Sequence, residues 1–223
     1  YFFFFFFFYF FLFFLFFFFL FFFFLFFFFF FLFFLFFFLF FYIFAGGQDG
    51  VVFKMNSDLS NLLFSSYVGG SALDASYAVQ LDNNGDLFVV GGTTSSNFPN
   101  TAGGINPSYM GGISDGYIMK INGASFTVEQ STFIGTSSYD QVYFVQLDLD
   151  DDVYVYGQSD NGYPVSGPVY NNPNSGQFIH KLSNDLSTSL WSTAIGSGSG
   201  NVEISPTAFL VSDCYDIYIS GWG

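Results

Sequence analysis

The densest group of residues able to bind a ligand is a run of aspartates near the middle of the second half of the chain. Asp148, Asp150, Asp151 and Asp152 occupy four of five consecutive positions. Ca²⁺ is bound in proteins by several oxygen ligands, and closely spaced aspartates on one loop can supply them. Asp148, Asp150 and Asp152 are therefore candidate calcium ligands, and Ca²⁺ is the only cofactor that the sequence suggests.

A related segment, Asp82-Asn83-Asn84-Gly85-Asp86, occurs earlier in the chain. It resembles the opening of a calcium-binding loop, but the twelfth position of such a loop, normally Glu, is Thr93 here. Asp, Asn and Gly are also the residues that hairpin turns prefer, because they bond to nearby backbone and tolerate positive φ. We favour a turn for both aspartate segments and keep a calcium site as the alternative.

Few residues of the sequence are candidates for a catalytic role. His180 is the single histidine, and Gly196-Ser197-Gly198-Ser199-Gly200 is not a nucleophile elbow, because no apolar strand leads through it into a helix. We expect His180 to be a structural residue of a strand. One His and one Cys do not suffice for a zinc site, and a single cysteine cannot make a disulfide framework. We expect Cys214 to be a small apolar filler near the start of a strand.

Charge excludes one class of partner. The 223 residues include 17 Asp and Glu against three Lys and no Arg, which gives a net charge of −14. Such a chain has no basic surface for phosphates, so we expect no nucleic-acid partner.

The mean hydropathy of +0.49 suggests a membrane protein, but it reflects one segment. Residues 1–44 consist of 33 Phe, 7 Leu, 3 Tyr and 1 Ile. This tract is over twice the length of a membrane span, and no turn divides it and no basic residue flanks it. We interpret it as an artefact, either of a T-rich coding sequence or of placeholder residues. The alternative is a genuine hydrophobic segment that aggregates or enters a membrane; otherwise we expect no membrane partner.

Residues 45–223 are organised by internal repetition. Four segments of the first repeat return 66 residues later in the second. They are 49–55 and 115–121, 66–69 and 132–135, 79–82 and 145–148, and 86–89 and 152–155. A third, looser repeat follows at offsets of 61 to 64, so the repeats span about 48–112, 113–176 and 177–223. The three lysines, Lys54, Lys120 and Lys181, share one repeat position, where we expect a solvated charge at a strand end.

Each repeat contains four short runs with the alternation of strands. The runs lie at about 50–56, 62–68, 75–81 and 86–91, then 116–122, 130–135, 142–148 and 152–157, then 177–182, 189–195, 208–212 and 216–220. Four antiparallel strands repeated in series are typical of a β-propeller blade. The sequence predicts an all-β fold, a partial propeller of about three blades' worth, and we expect the chain to be a fragment of a larger ring.

Long loops rich in Ser, Asn, Gly and Pro join the repeats at about 92–115 and 158–176. Phe98-Pro99 and Tyr163-Pro164 lie at matching places in these loops. We expect each aromatic residue to act as a hydrophobic peg that fastens its loop to a sheet.

One pattern of residues, called a phrase below, resembles a known repeat family. It runs Gly69-Gly70-Ser71, Asp74-Ala75, Ala78 to Asp82, Gly85 to Pro99 and Asp115 to Ile121. This phrase resembles the bacterial SBBP β-propeller repeats, and the resemblance covers about 45–223, although the third repeat lacks counterparts of Gly70 and Asp74. It implies that 75–135 and about 142–195 are whole blades with half-blades outside, and that the strand of Tyr77 to Leu81 is innermost.

The same resemblance implies a large secreted or cell-surface protein, often from Bacteroidetes and with adhesion modules. We therefore expect a non-enzymatic, extracellular module that binds or displays, with a glycan or protein surface as ligand. The alternative is part of a propeller hydrolase or lyase directed at polysaccharide, with its active site in other blades.

Overall fold

The computed structural model describes residues 13, 15–28, 46–160 and 162–223. The chain divides into two compact units, residues 1–44 and residues 45–223. In the first unit, residues 15–28 are helical. None of the helical structure in these ranges has both the length and the apolar character that a membrane crossing requires. The remaining predictions for the Phe-rich tract fall on residues outside those described.

The described residues of the second unit are all-β, as predicted, and contain twelve strands. They are β1 (Gly50–Met55), β2 (Leu62–Val68), β3 (Asp74–Leu81), β4 (Leu87–Thr93), β5 (Asp115–Ile121), β6 (Val128–Ile134), β7 (Asp140–Leu147), β8 (Val153–Ser159), β9 (Gln177–Leu182), β10 (Ser189–Ile195), β11 (Ser205–Val211) and β12 (Ile217–Trp222). Every strand lies within a few residues of a predicted run, because each run is short, alternating and bounded by turn residues.

The strands form four antiparallel sheets, and each strand pairs with its neighbour in the sequence. Two sheets have four strands, β3-β4-β5-β6 and β7-β8-β9-β10, and two have a single pair, β1-β2 and β11-β12. In chain order, two four-stranded sheets thus lie between two two-stranded sheets, and we call them complete sheets and half-sheets.

Apolar side chains fill the space between successive sheets. One core cluster joins the two complete sheets, with Phe88 and Ile118 on one side and Val155 and Phe178 on the other. A second cluster joins β1-β2 to the first complete sheet, and a third joins the second complete sheet to β11-β12. Each complete sheet thus packs against a neighbour on both faces, which explains why β5 is buried along its whole length, although Val79 and Leu81 of β3 are exposed.

The first strands of successive sheets lie next to one another. Strand β7 packs against β3 and β4 of the preceding sheet and against β11 of the following one. The sheets therefore stack in series with β3, β7 and β11 along one side.

The two predicted hydrophobic pegs are confirmed. Phe98 is buried with its ring centroid 4.4 Å from that of Tyr117, and Tyr163 stacks on Phe178 at 3.8 Å. Tyr117 and Phe178 occupy the same repeat position, so each loop is fastened to a sheet by an aromatic pair at equivalent positions.

A glycine in the second strand of each complete sheet permits close packing. A Cβ at Gly157 would lie 2.2 Å from the backbone oxygen of Gln141 and 2.6 Å from Cζ of Phe178. Gly91, its counterpart, would meet the backbone oxygen of Ala75 at 1.8 Å. In both sheets the first strand has a bulge at this level, which brings its backbone close to the second strand.

We expect Gly157→Ala to lower the free energy of unfolding by about 2–3 kcal/mol, because the methyl group meets backbone that cannot move aside. Gly85→Ala is the matched control: its Cβ meets nothing within 4 Å, but φ is +84°, so strain of about 1 kcal/mol is the only cost. Urea denaturation measures both. Equal losses in the two variants would contradict the packing role of Gly157.

Candidate functional site

The aspartate run around Asp148 forms the turn between β7 and β8. Asp148 Oδ1 accepts hydrogen bonds from the backbone N–H groups of Asp150 and Asp152, each at 3.0 Å. Asp151 adopts a φ of +61°. This is the turn expected from the sequence, in which an aspartate side chain bonds to the backbone two and four residues ahead.

The second oxygen of Asp148 binds a lysine. Lys181 Nζ lies 2.8 Å from Asp148 Oδ2 and 2.9 Å from Asp152 Oδ2. Lys181 belongs to β9, the third strand of the sheet, which pairs with β8. Its ammonium also lies 4.9 Å from the ring centroid of Tyr154, the residue opposite it on β8. An ammonium group thus occupies the space between two of the three predicted calcium ligands.

The third predicted ligand has a different partner. Asp150 Oδ2 accepts a hydrogen bond of 3.0 Å from the hydroxyl of Tyr215, in the turn between β11 and β12. Across the described ranges, no three His, Cys, Asp or Glu side chains are arranged to hold a metal ion. The structure therefore brings Asp148 and Asp152 together around Lys181 and separates Asp150 from them, and calcium binding stays a prediction.

The preceding complete sheet repeats the arrangement. Lys120 Nζ, on β5, lies 3.7 Å from Asp82 Oδ2 and 3.3 Å from Asp86 Oδ2, in the turn between β3 and β4. The ring of Phe88 on β4 lies 5.5 Å from the same ammonium. Asp82 Oδ1 accepts the backbone N–H of Asp86 at 2.8 Å, as Asp148 does in its own turn.

We call each arrangement a lysine clamp: Lys120 with Asp82 and Asp86, and Lys181 with Asp148 and Asp152. The prediction of a solvated lysine is wrong for Lys120 and Lys181, whose side chains are only 11% and 14% exposed. The reason is the strand order, which brings the acidic turn of the first two strands beside the end of the third strand. Lys54 is exposed, as predicted.

The Lys181 clamp is electrostatically favourable despite its burial. Burial lowers the pKa of Lys181, but its hydrogen bonds to Asp148 and Asp152 outweigh that and raise the pKa above its usual value. Burial likewise raises the pKa of the Asp148 carboxyl, but the bonds from Lys181 and from backbone N–H groups outweigh it and lower the pKa. Both groups are therefore charged at neutral pH.

His180 is built into the second complete sheet, as a strand histidine. Its Nδ1 lies 2.8 Å from the hydroxyl of Tyr163 and its Nε2 lies 2.7 Å from Oγ of Ser189. Burial lowers the pKa of His180 to about 4, so the ring is neutral at pH 7. The Ser–His contact has the spacing of a nucleophile and its base, but so low a pKa makes a weak base.

A pair of buried carboxyls was not predicted from the sequence. Asp115, at the start of β5, and Asp140, at the start of β7, both adjoin Gly135, where a Cβ would lie 2.9–3.0 Å from their oxygens. Both residues are fully buried. Burial, reinforced by the nearby Asp140, raises the pKa of Asp115 to about 7 despite a hydrogen bond from the backbone N–H of Met110.

Cys214 also differs from its prediction. It lies in the turn before β12 and is exposed, so it is not an apolar filler. The sequence did contain a signal for the lysine clamps: the lysines share one repeat position, and Asp begins and ends the turn in both complete repeats.

We expect Lys181→Met to destabilise the protein, because it leaves two carboxylates without their cation. The loss is about 2–3 kcal/mol, below the ~3–5 kcal/mol for a fully buried pair since the Asp152 side chain is 27% exposed. Lys54→Met is the matched control at the same repeat position, with an expected change within about 0.5 kcal/mol for the monomer. Urea unfolding compares them, and equal losses would argue against a clamp.

A second prediction concerns pH. The raised pKa means that folded Asp115 keeps a proton that the unfolded chain releases between about pH 4 and about pH 7, so its contribution to stability falls as pH rises through this window. Asp115→Asn removes that dependence. The stability of the variant relative to the parent, measured by urea unfolding from pH 5 to pH 8, should therefore increase with pH. Parallel curves would refute a shifted Asp115.

No protein-family model matches the chain, and no curated protein matches its sequence. The resemblance to SBBP repeats rests on the residues quoted in the sequence analysis.

Proposed function

We propose that residues 45–223 form part of a β-propeller in which the two complete sheets are blades and β3, β7 and β11 are the innermost strands. Three features support this. The sheets stack in series, their strands follow chain order, and their first strands adjoin one another. Radially arranged four-stranded antiparallel sheets are the architecture of propellers.

We infer that this region is a non-enzymatic scaffold and binding module of a large secreted or cell-surface, adhesin-like protein. The observation that carries the inference is how the chemically capable side chains are used. Lys120 and Lys181 hold turns to strands, and both ring nitrogens of His180 are engaged by hydroxyls inside the sheet. These groups stabilise a frame, and frames of this kind display loops.

The loop before β9 offers a contact surface. Tyr170 is 75% exposed, whereas the backbone around it is held in place. Thr193 Oγ1 donates a hydrogen bond to the backbone oxygen of Tyr170, and the backbone N–H of Asn172 donates to the oxygen of Ala194 at 2.9 Å. A rigidly held, exposed tyrosine provides a large amphipathic contact at low entropic cost. We propose that it contacts polysaccharide or a protein surface.

A glycan array probed with the full chain tests this function. We expect binding to at least one polysaccharide and a loss of about tenfold in affinity for Tyr170→Ala, because the ring is the contact. Tyr170→Phe is the matched control and should retain binding, since it keeps the ring. Absence of any glycan binding, or equal binding by Tyr170→Ala, would contradict the carbohydrate version of the proposal.

A further inference from the structure

The two half-sheets correspond to complementary halves of a complete sheet. By their positions in the sequence repeat, β1 and β2 correspond to β5 and β6, the third and fourth strands of a complete sheet. Strands β11 and β12 correspond to β3 and β4, the first and second. Among the described strands, β1 pairs only with β2 and β12 only with β11. The edge where β5 binds β4 is therefore open on β1, and the matching edge is open on β12.

The open edge of β1 has a lysine in the clamp position. Lys54 corresponds to Lys120 and Lys181, yet within the described residues it has no carboxylate partner; its ammonium lies 5.6 Å from the ring of Phe126. A cavity of about 520 Å³ adjoins it, lined in part by Phe64 and Leu81. In a complete sheet, the acidic turn between the first and second strands lies at the clamp lysine.

The face of β3 toward this cavity has exposed apolar side chains that are buried or partly buried at the corresponding positions of β7. Val79 is 55% exposed, whereas its counterpart Val145 on β7 is 2% exposed and lies in a core cluster with Phe88 and Val90 of the preceding β4. Leu81, beside Val79, is 58% exposed. A strand like β4 is therefore the element that would cover this apolar face.

The β11-β12 hairpin has the features of that element. Asp216 corresponds to Asp86 and Asp152, and Tyr218 corresponds to Phe88 and Tyr154, the rings beside the clamped ammonium groups. Tyr218 is 57% exposed. Ser212 replaces the first aspartate of the turn and keeps its capping role, since its Oγ accepts the backbone N–H of Asp216 at 3.1 Å.

We propose that the β11-β12 hairpin of a second copy of this chain pairs with β1, giving a complete sheet in the order β11-β12-β1-β2. The register of β4 on β5, transferred to these strands, places Tyr218 opposite Lys54 and Ile219 opposite Phe53. Asp216 then binds the Lys54 ammonium, and the hairpin covers Val79. Backbone pairing at an open edge is an established mode of recognition.

The exchange is reciprocal, because each copy has both open edges. Two copies contribute four complete sheets and four half-sheets, and the half-sheets combine into two more. These six four-stranded sheets, from residues 45–223 of two copies, are within the number found in closed propellers. The ring closure rests on the proposed propeller arrangement, whereas the strand pairing rests on the register alone.

Disulfide trapping between two single-cysteine forms of the full chain tests the pairing. In a Cys214→Ser background, Ile219→Cys is mixed with Phe53→Cys or, as the matched control, with Val51→Cys, which lies on the same face two residues out of register. We expect about tenfold more cross-linked dimer with Phe53→Cys, because directly opposed residues lie within disulfide range and diagonal ones do not. Equal yields, or no cross-link with either, would overturn the proposal and leave the edges to another partner.

Charge reversal provides a second test that needs no disulfide. We expect Lys54→Glu and Asp216→Lys each to weaken dimerisation about tenfold, and the double variant to restore it, since the pair is then reversed. Asp213→Lys, the same change in the same turn at a position without a clamp role, should have no effect. Sedimentation velocity measures the dimer; if the double variant is as weak as the singles, the Lys54–Asp216 contact is refuted. A protein that dimerises in register but binds no glycan would refute the proposed function and leave this interface intact.

Discussion

The ammonium group held between two carboxylates of a hairpin turn is the interaction on which this architecture depends. In an antiparallel sheet of successive hairpins, no covalent link joins the first turn directly to the third strand, and the lysine clamp joins them by ion pairs. Lys120 also binds Asn184 Oδ1 at 2.6 Å, and Asn184 belongs to the next sheet and donates to the backbone oxygen of Asp151 at 3.0 Å. The clamp therefore joins one sheet to the next as well as strand to turn.

Hydrophobic packing and the clamps act in different places. The core clusters lie between sheets, where apolar rows from both neighbours meet, and they supply the non-directional part of the stability. The clamps lie at the turn end of the sheets and fix which turn meets which strand. Among the described strands, the β1-β2 half-sheet lacks counterparts of β3 and β4, which leaves Lys54 unclamped and leaves Val79, on the neighbouring β3, exposed.

Much of this fold could be predicted from the sequence, because strand alternation, turn residues and repeat spacing are local signals. The turn at Asp148 and the peg at Tyr163 follow from such signals. The partners of Lys120 and Lys181 could not be predicted from local signals, because a clamp depends on which distant strands become neighbours. The exposure of Cys214 and the raised pKa of Asp115 were missed for a similar reason: the burial of a side chain depends on which other segments of the chain pack against it.

The clamp itself can be observed directly by NMR of the lysine ammonium groups, in protein labelled with ¹⁵N and ¹³C. We expect slowly exchanging ammonium signals for Lys120 and Lys181, and a rapidly exchanging, uncoupled Lys54 in the monomer. Couplings across hydrogen bonds should reach the aspartate carboxyl carbons from Lys181 and the side-chain carbonyl carbon of Asn184 from Lys120. Three equivalent lysines, all averaged by solvent, would contradict the claim that buried ion pairs hold the turns to the sheets.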